Sequence, residues 1–189
     1  MEIKYMKTTD NWREVANAAR TTIGMDEGEG EPSSEWKRKI LLAGHSPIRE
    51  LWIKWEWENI PYNIHVHFLR HEIGIVAPDD VNYYVQTSRE DRTNVPRNER
   101  AQTDPVDMRM SANAQAMINI SRKRLCHKAA DKAREGWLYV VNRLQAYEPE
   151  LASVCVRECV YRGFCPEMEP CGFTAKPEYS YIREAYIDA

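Results

Sequence analysis

The sequence has no apolar run approaching the ~18 residues that a bilayer-spanning helix needs. Its first residues, MEIKYMKTTDNW, contain no apolar stretch of the signal-peptide type. The expected compartment is therefore the cytosol, with no membrane partner. Strong net charge is also lacking: 26 basic against 29 acidic residues give −3. That balance argues against a general nucleic-acid-coating protein, so no nucleic-acid partner is expected. There is no internal repeat. Nor is there the low hydrophobicity of a disordered chain, since 43% of the 189 residues are hydrophobic and 29% charged. This length is enough for a substantial buried core.

Cysteine is scarce over most of the chain and crowded at one end. Cys126 stands alone, whereas Cys155, Cys159, Cys165 and Cys171 fall in one short stretch with spacing C-x3-C-x5-C-x5-C. In a reducing compartment such a group reads as metal-binding or as free thiols ahead of a disulfide framework. Zinc is the commonest structural choice for thiolate ligands. The spacing matches no standard knuckle or ribbon. Cys126 reads as a small buried apolar residue.

Residue patterning suggests the following elements. Asp10 can cap a helix through Trp12, Val15, Ala19 and Ile23. Residues 24–34 read as an acidic loop, and Ser34 opens a second helix ending near Gly44. Residues 49–57 alternate as a strand, with Leu51, Ile53, Trp55 and Trp57 on one face. Pro61 suits the first turn of a helix carrying Ile64, Phe68 and Leu69. Residues 83–87 suit a short strand, and 90–108 read as a long functional loop. Residues 111–147 are helical in pattern, in two successive helices, with a further short helix from Pro149. The fold class is α/β or α+β: one domain with a central sheet containing antiparallel strands, flanked by long helices. The expected division is residues 1–150 as that domain and 151–189 as a Cys-rich extension packed on it.

Four segments carry a family resemblance. AARTT (18–22) is similar to an early AARVS-type segment. HSPIRE (45–50) is similar to an SPFE-type turn. PYNIHVHFLRH (61–71) is similar to a helix ending in an arginine-histidine-arginine signature. Asn113, Asn119 and Arg124 form N-x5-N-x4-R, with Ala129 where an AQ-E-I-type helix begins. In order and separation these resemble the flavin-dependent thymidylate synthases, over roughly residues 15 to 150. The departures are equally specific. Glu72 stands where the third signature arginine belongs, and His67 replaces a glutamine. Glu50 replaces a histidine, and the phosphate-holding S-x-R survives at best as Thr87 and Arg89.

The resemblance implies bound FAD and reductive methylation of dUMP to dTMP with methylenetetrahydrofolate and NADPH, in a homotetramer whose sites are shared between subunits. It implies flavin contacts from Thr22, Glu50, Arg70, His71, Asn113 and Asn119. It implies nucleotide contacts from His67, Thr87, Ser88, Arg89 and Arg124, with Arg124 acting on the pyrimidine. On a continuous helix Asn113 and Arg124 would be separated by about 20° around the axis, at about 100° per residue. A guanidinium fork there suits uracil carbonyls and developing negative charge. Thr87, Ser88 and Arg89, with Arg92, Arg97 and Arg100 nearby, suit a phosphate. Solvated helix and loop faces account for the same charges. Two other functions stay open: flavin-dependent modification of another pyrimidine nucleotide, and a non-catalytic nucleotide- or metal-binding relative.

Overall fold

The computed structural model describes residues 1–69, 71, 83–87 and 94–188. Its centre is a four-stranded sheet of β1 (Glu2–Thr8), β2 (Trp52–Pro61), β3 (Tyr83–Gln86) and β4 (Pro105–Asn113), in the order β1-β2-β4-β3. Every neighbouring pair is antiparallel. The helices are α1 (Trp12–Thr21), α2 (Ser34–Ala43), α3 (Tyr62–Leu69), α4 (Ala114–Arg124) and α5 (Asp131–Leu144). They are followed by α6 (Pro149–Val154), α7 (Glu158–Arg162) and α8 (Pro177–Asp188). Short 3-10 turns cover Ser46–Glu50, Arg97–Glu99 and Phe173–Ala175.

Alternation along β2 sets the two faces of the sheet. Ile53, Trp55 and Trp57 are buried, as are Met108 and Met110 on the adjoining strand. They form the face against which α3 and α5 pack. Trp57 and Phe68 have ring centroids 4.7 Å apart, and Trp137 of α5 lies 5.7 Å from both Trp55 and Phe68. Such tilted and edge-on arrangements are the preferred ones for rings in a core. Trp57 Nε1 donates to the Gly136 carbonyl at 3.2 Å, and Trp137 Nε1 to Ser121 Oγ at 2.9 Å, so both indoles enter the core with their polar edge satisfied. A Cβ on Gly136 would stand 3.1 Å from Met1 Sδ, the end of a flexible side chain that would have to shift slightly. On the opposite face Lys54, Glu56 and Arg109 meet solvent. Arg109 Nε and Nη2 both donate to Glu56 Oε2, at 2.9 and 2.7 Å.

Several element boundaries depart from the sequence reading. The strand β1 was not expected at all. Its burial pattern is mostly exposed, because it is an edge strand with one buried residue, Met6, so it shows no clean alternation. The cap of α1 is Asn11, and Asp10 precedes it with φ 48. The helix α2 does open at Ser34, as expected, with Ser33 as its cap accepting from Trp36 N at 3.2 Å. Pro61 ends β2 instead of opening a helix. The expected loop 90–108 gives way to β4 at Pro105, and the helix expected from Ser111 begins only at Ala114. Asn59, with φ 58, sits in a bulge of β2 where its N–H donates to Asp107 Oδ1 at 3.0 Å. Residues 151–189 contribute Leu151, Val160, Phe173 and Tyr186 to the same core cluster.

Candidate functional site

The last residue of α4 and the end of α3 meet. Arg124 Nε donates to His71 Nε2 at 2.6 Å, and Arg124 Nη2 donates to the His67 carbonyl at 2.7 Å. The turn is fixed by His71 N–H donating to the Phe68 carbonyl at 3.2 Å. Since Nε2 accepts, the ring proton of His71 belongs on Nδ1. Burial first, then the positive charge of Arg124, then His67 and Lys123, lower the His71 pKa from 6.5 to about 4. The imidazole is therefore neutral near pH 7, which the hydrogen bond from a guanidinium requires. Two of the expected site residues, Arg124 and His71, are thus brought into contact. His67 joins them through its backbone carbonyl. Arg70 lies outside the described residues.

A second group assembles around the opposite end of α4. A cleft of about 520 Å³ is lined by Thr22, Ile23, Trp36, Lys39, His45 and Ser46, among others. It joins the AARTT and HSPIRE segments, which α1 and the 3-10 turn at 46–50 hold together. The Thr22 hydroxyl donates to the Ala19 carbonyl at 2.6 Å. Gly44, with φ 64, closes α2 in the left-handed conformation that favours glycine. Its position for a Cβ lies 4.0 Å from Gln115 Oε1, which brings the first turn of α4 to the cleft edge. Gln115 Nε2 in turn donates to Asn119 Oδ1 at 3.2 Å. Glu50 is exposed, and its carbonyl accepts from Asn11 Nδ2 at 3.0 Å.

Asn113 corrects a geometric expectation. It is the N-cap of α4, with φ −80 and ψ 169, and its side chain accepts from Ala116 N at 2.9 Å. Its backbone is extended, so the angle of about 20° computed for one continuous helix does not apply to it. Along α4 the Asn113 and Arg124 ends stand about 16 Å apart at ~1.5 Å per residue. The expected site residues near the two ends of α4 therefore form two groups within one chain, with His71, expected at the flavin, in the group of Arg124, while Thr87 lies apart on the open sheet face.

The expected phosphate cradle is mostly engaged where it is described. Thr87 N–H donates to the Asp107 carbonyl and Thr87 Oγ1 accepts from Asp107 N–H, both at 3.0 Å. This extends the β3–β4 pairing by one residue. Arg100 is ion-paired with Asp104. Ser88, Arg89 and Arg92 lie outside the described residues, as does Glu72. Thr87 also borders a basin of about 550 Å³ on the open sheet face, with Tyr5, Lys54, Glu56 and Arg109.

No protein-family model and no curated protein matches the sequence. Solved structures do match. One is a flavin-dependent thymidylate synthase of Helicobacter pylori complexed with FAD and dUMP. It is similar with a TM-score of 0.64 at 14% identity, over 83% of this chain and 100% of that one. A second structure, thymidylate synthase X of the same organism with FAD and dUMP, gives 0.60 at 12% identity, over 82% and 97%. The fold is that of a flavin-dependent thymidylate synthase. At these identities the likeness is one of fold. Among the described residues, no helix of this thymidylate synthase-like fold is long and apolar enough to cross a membrane.

The cysteines are rearranged relative to expectation. Among the described residues no three His, Cys, Asp or Glu side chains stand together as a ready metal site, and all five cysteines are free. Cys155 leaves the expected quartet. It is buried beside Ser121, and burial pushes its thiol up to about 12, which disfavours the thiolate a metal would need. Cys159, Cys165 and Cys171 instead share a small hollow with Cys126 and His127. Sequence spacing could not show this, because Cys126 lies 33 positions before Cys159. Only the return of α7 to the end of α4 brings them together.

Proposed function

We propose that the chain is an enzyme that uses FAD to methylate a pyrimidine nucleotide reductively, converting dUMP to dTMP with methylenetetrahydrofolate and NADPH. The observation that carries this reading is the contact of Arg124 with His71 and the His67 carbonyl. It unites two segments, far apart in sequence, that carry the family resemblance. The shared fold supports the same reading.

The cleft at Thr22 and His45 fits a flavin. Its volume falls in the range of small-molecule sites, about 300–1,000 Å³. Trp36, Ile23 and Ile40 give it apolar walls, and Thr22, Lys39, His45 and Ser46 supply polar groups. Reduced flavin would supply hydride chemistry for which protein side chains have no equivalent. The chain's own contribution is orientation and charge. His71 and the His67 carbonyl hold the Arg124 guanidinium in one plane. A cation so held favours negative charge on a pyrimidine ring beside it. Because the two residue groups sit at opposite ends of α4, a complete site suits contributions from more than one subunit, and a homotetramer is the expected assembly. Light scattering should give a mass well above the 22.1 kDa of one chain.

Two assays test the reading. Flavin fluorescence during FAD titration should report binding at micromolar affinity, and tritium should be released from labelled dUMP when NADPH and methylenetetrahydrofolate are present. Absence of FAD binding at high micromolar concentration would overturn the flavoenzyme assignment. A second reading, modification of another pyrimidine nucleotide, is favoured by the engagement of Thr87 with Asp107 and of Arg100 with Asp104. FAD binding without tritium release from dUMP would select it.

A further inference from the structure

The segment 161–172 poses a packing problem. All but one of its residues are exposed, the exception being the half-buried Cys165. It carries Gly163 and Gly172 in left-handed conformations and two prolines, Pro166 and Pro170. Apolar burial cannot hold such a segment. Yet it returns to the end of α4 and closes a hollow of about 20 Å³ there. Four thiols line that hollow: Cys126 from the turn after α4, Cys159 from α7, and Cys165 and Cys171 from the exposed segment. His127 is beside them, with its ring 4.9 Å from that of Phe173.

Two further observations concern charge. Arg157 borders the same hollow, with its guanidinium 3.9 Å from the Phe173 ring centroid. Its Nη1 is buried and makes no hydrogen bond, with Glu178 Oε1 3.9 Å away. Its Nε donates to the Leu125 carbonyl at 3.0 Å and Glu178 is its ion-pair partner, so a guanidinium is fixed beside the hollow, where negative charge on the sulfurs is favoured. Cys126 Sγ also accepts from the Lys128 N–H at 3.5 Å, a bond that supports a sulfur carrying negative charge.

We propose that Cys126, Cys159, Cys165 and Cys171 form a structural site for a borderline-soft divalent cation, with zinc the expected ion. Four thiolates would close a tetrahedral shell with zinc–sulfur distances of about 2.3 Å. The sulfurs line the hollow without standing at that geometry, so binding draws the exposed 161–172 segment inward. Ligation releases the thiol protons and leaves the cluster anionic, which Arg157 offsets. The site would staple the C-terminal segment to the end of α4, two residues beyond Arg124. This goes beyond the flavoenzyme reading and does not depend on it.

The test is metal analysis of the full chain purified under reducing conditions, with cobalt substitution of the same protein. About one zinc per chain is expected, together with the thiolate-to-metal absorption and tetrahedral d–d bands of the cobalt form. Cys171→Ser, at an exposed position, should lose the metal while the far-ultraviolet spectrum of the core persists. Cys171→His should recover it, and Cys155→Ala should keep it. Metal-free protein that takes up no cobalt overturns the proposal. So does a disulfide between any two of the four cysteines in the non-reduced chain, or metal retained by Cys171→Ser. These readouts are independent of FAD, so loss of the metal site and loss of flavin binding are separately visible.

Discussion

Arg124 Nε lies 2.6 Å from His71 Nε2, and the imidazole can accept that hydrogen bond only while it is neutral. The His71 pKa falls from 6.5 to about 4 through burial and through the charges of Arg124, His67 and Lys123. Between these two values the unfolded chain binds more protons than the folded one. Stability from this residue is therefore present above about pH 6.5 and is lost as the pH falls through about 4. Urea midpoints measured across this range should decline on acidification. His71→Gln keeps a carbonyl acceptor for Arg124 and does not titrate, so its profile should be flatter. A wild-type profile that is already flat would mean that folding does not hold the His71 imidazole neutral.

Arg124 uses two edges of its guanidinium, Nε toward His71 and Nη2 toward the His67 carbonyl. A lysine ammonium is a point charge and cannot reproduce that fork. Arg124→Ala should lower nucleotide turnover by on the order of 10²-fold, with FAD affinity changed far less. Arg124→Lys should recover little of the loss. Turnover within about twofold of wild type in both variants, the range expected of a solvated helix residue, would remove Arg124 from the nucleotide pocket.

Glu148 is buried and accepts from Trp12 Nε1 at 2.8 Å. Burial raises its pKa, against the hydrogen bonds from Trp12 and Thr8 and the charge of Lys37. A carboxyl whose folded pKa is raised contributes stability in its protonated form, and that contribution is lost as the pH rises through the folded pKa. Glu148→Gln keeps the acceptor and removes the buried charge. It should equal or exceed wild type in urea midpoint at pH 8, with the difference shrinking toward pH 4.5. Glu148→Leu should cost about 1–3 kcal/mol, because the Trp12 N–H is then orphaned. A large loss in Glu148→Gln at pH 8 would mean that the ionised form is the stabilising one.

How much of this was legible in the sequence depended on how local the signal was. The alternation Leu51-Ile53-Trp55-Trp57 marked the inward face of β2, because a strand buried on one face shows its period directly. A family resemblance singled out AARTT, HSPIRE, His71 and Arg124, but neither it nor any local pattern said that AARTT would pack on HSPIRE or that Arg124 would donate to His71. β1 escaped because an edge strand needs few buried residues. The start of α4 was misplaced because Ser111, Ala112 and Asn113 are buried as strand residues yet suit a helix approach equally well. Cys155 was grouped with its sequence neighbours, whereas the hollow takes Cys126 from a distant turn. Spacing describes a site only when its members share one segment.

Asn113 allows the cap and the cofactor role to be separated. Its side chain accepts from Ala116 N at 2.9 Å, so its removal exposes an orphan donor at the start of α4. Asn113→Ala should cost about 1 kcal/mol in stability, within the ~0.5–2 kcal/mol range for lost caps. Asn113→Asp and Asn113→Ser both retain a capping oxygen and should lie near wild type in urea midpoint. They lack the amide donor that a flavin carbonyl could use. If Asn113 also contacts FAD, these two variants should bind it at least tenfold more weakly while remaining folded. Should Asn113→Asp and Asn113→Ser bind FAD as wild type does, with only Asn113→Ala impaired and that through stability, Asn113 is a helix cap and the flavin lies elsewhere along the cleft.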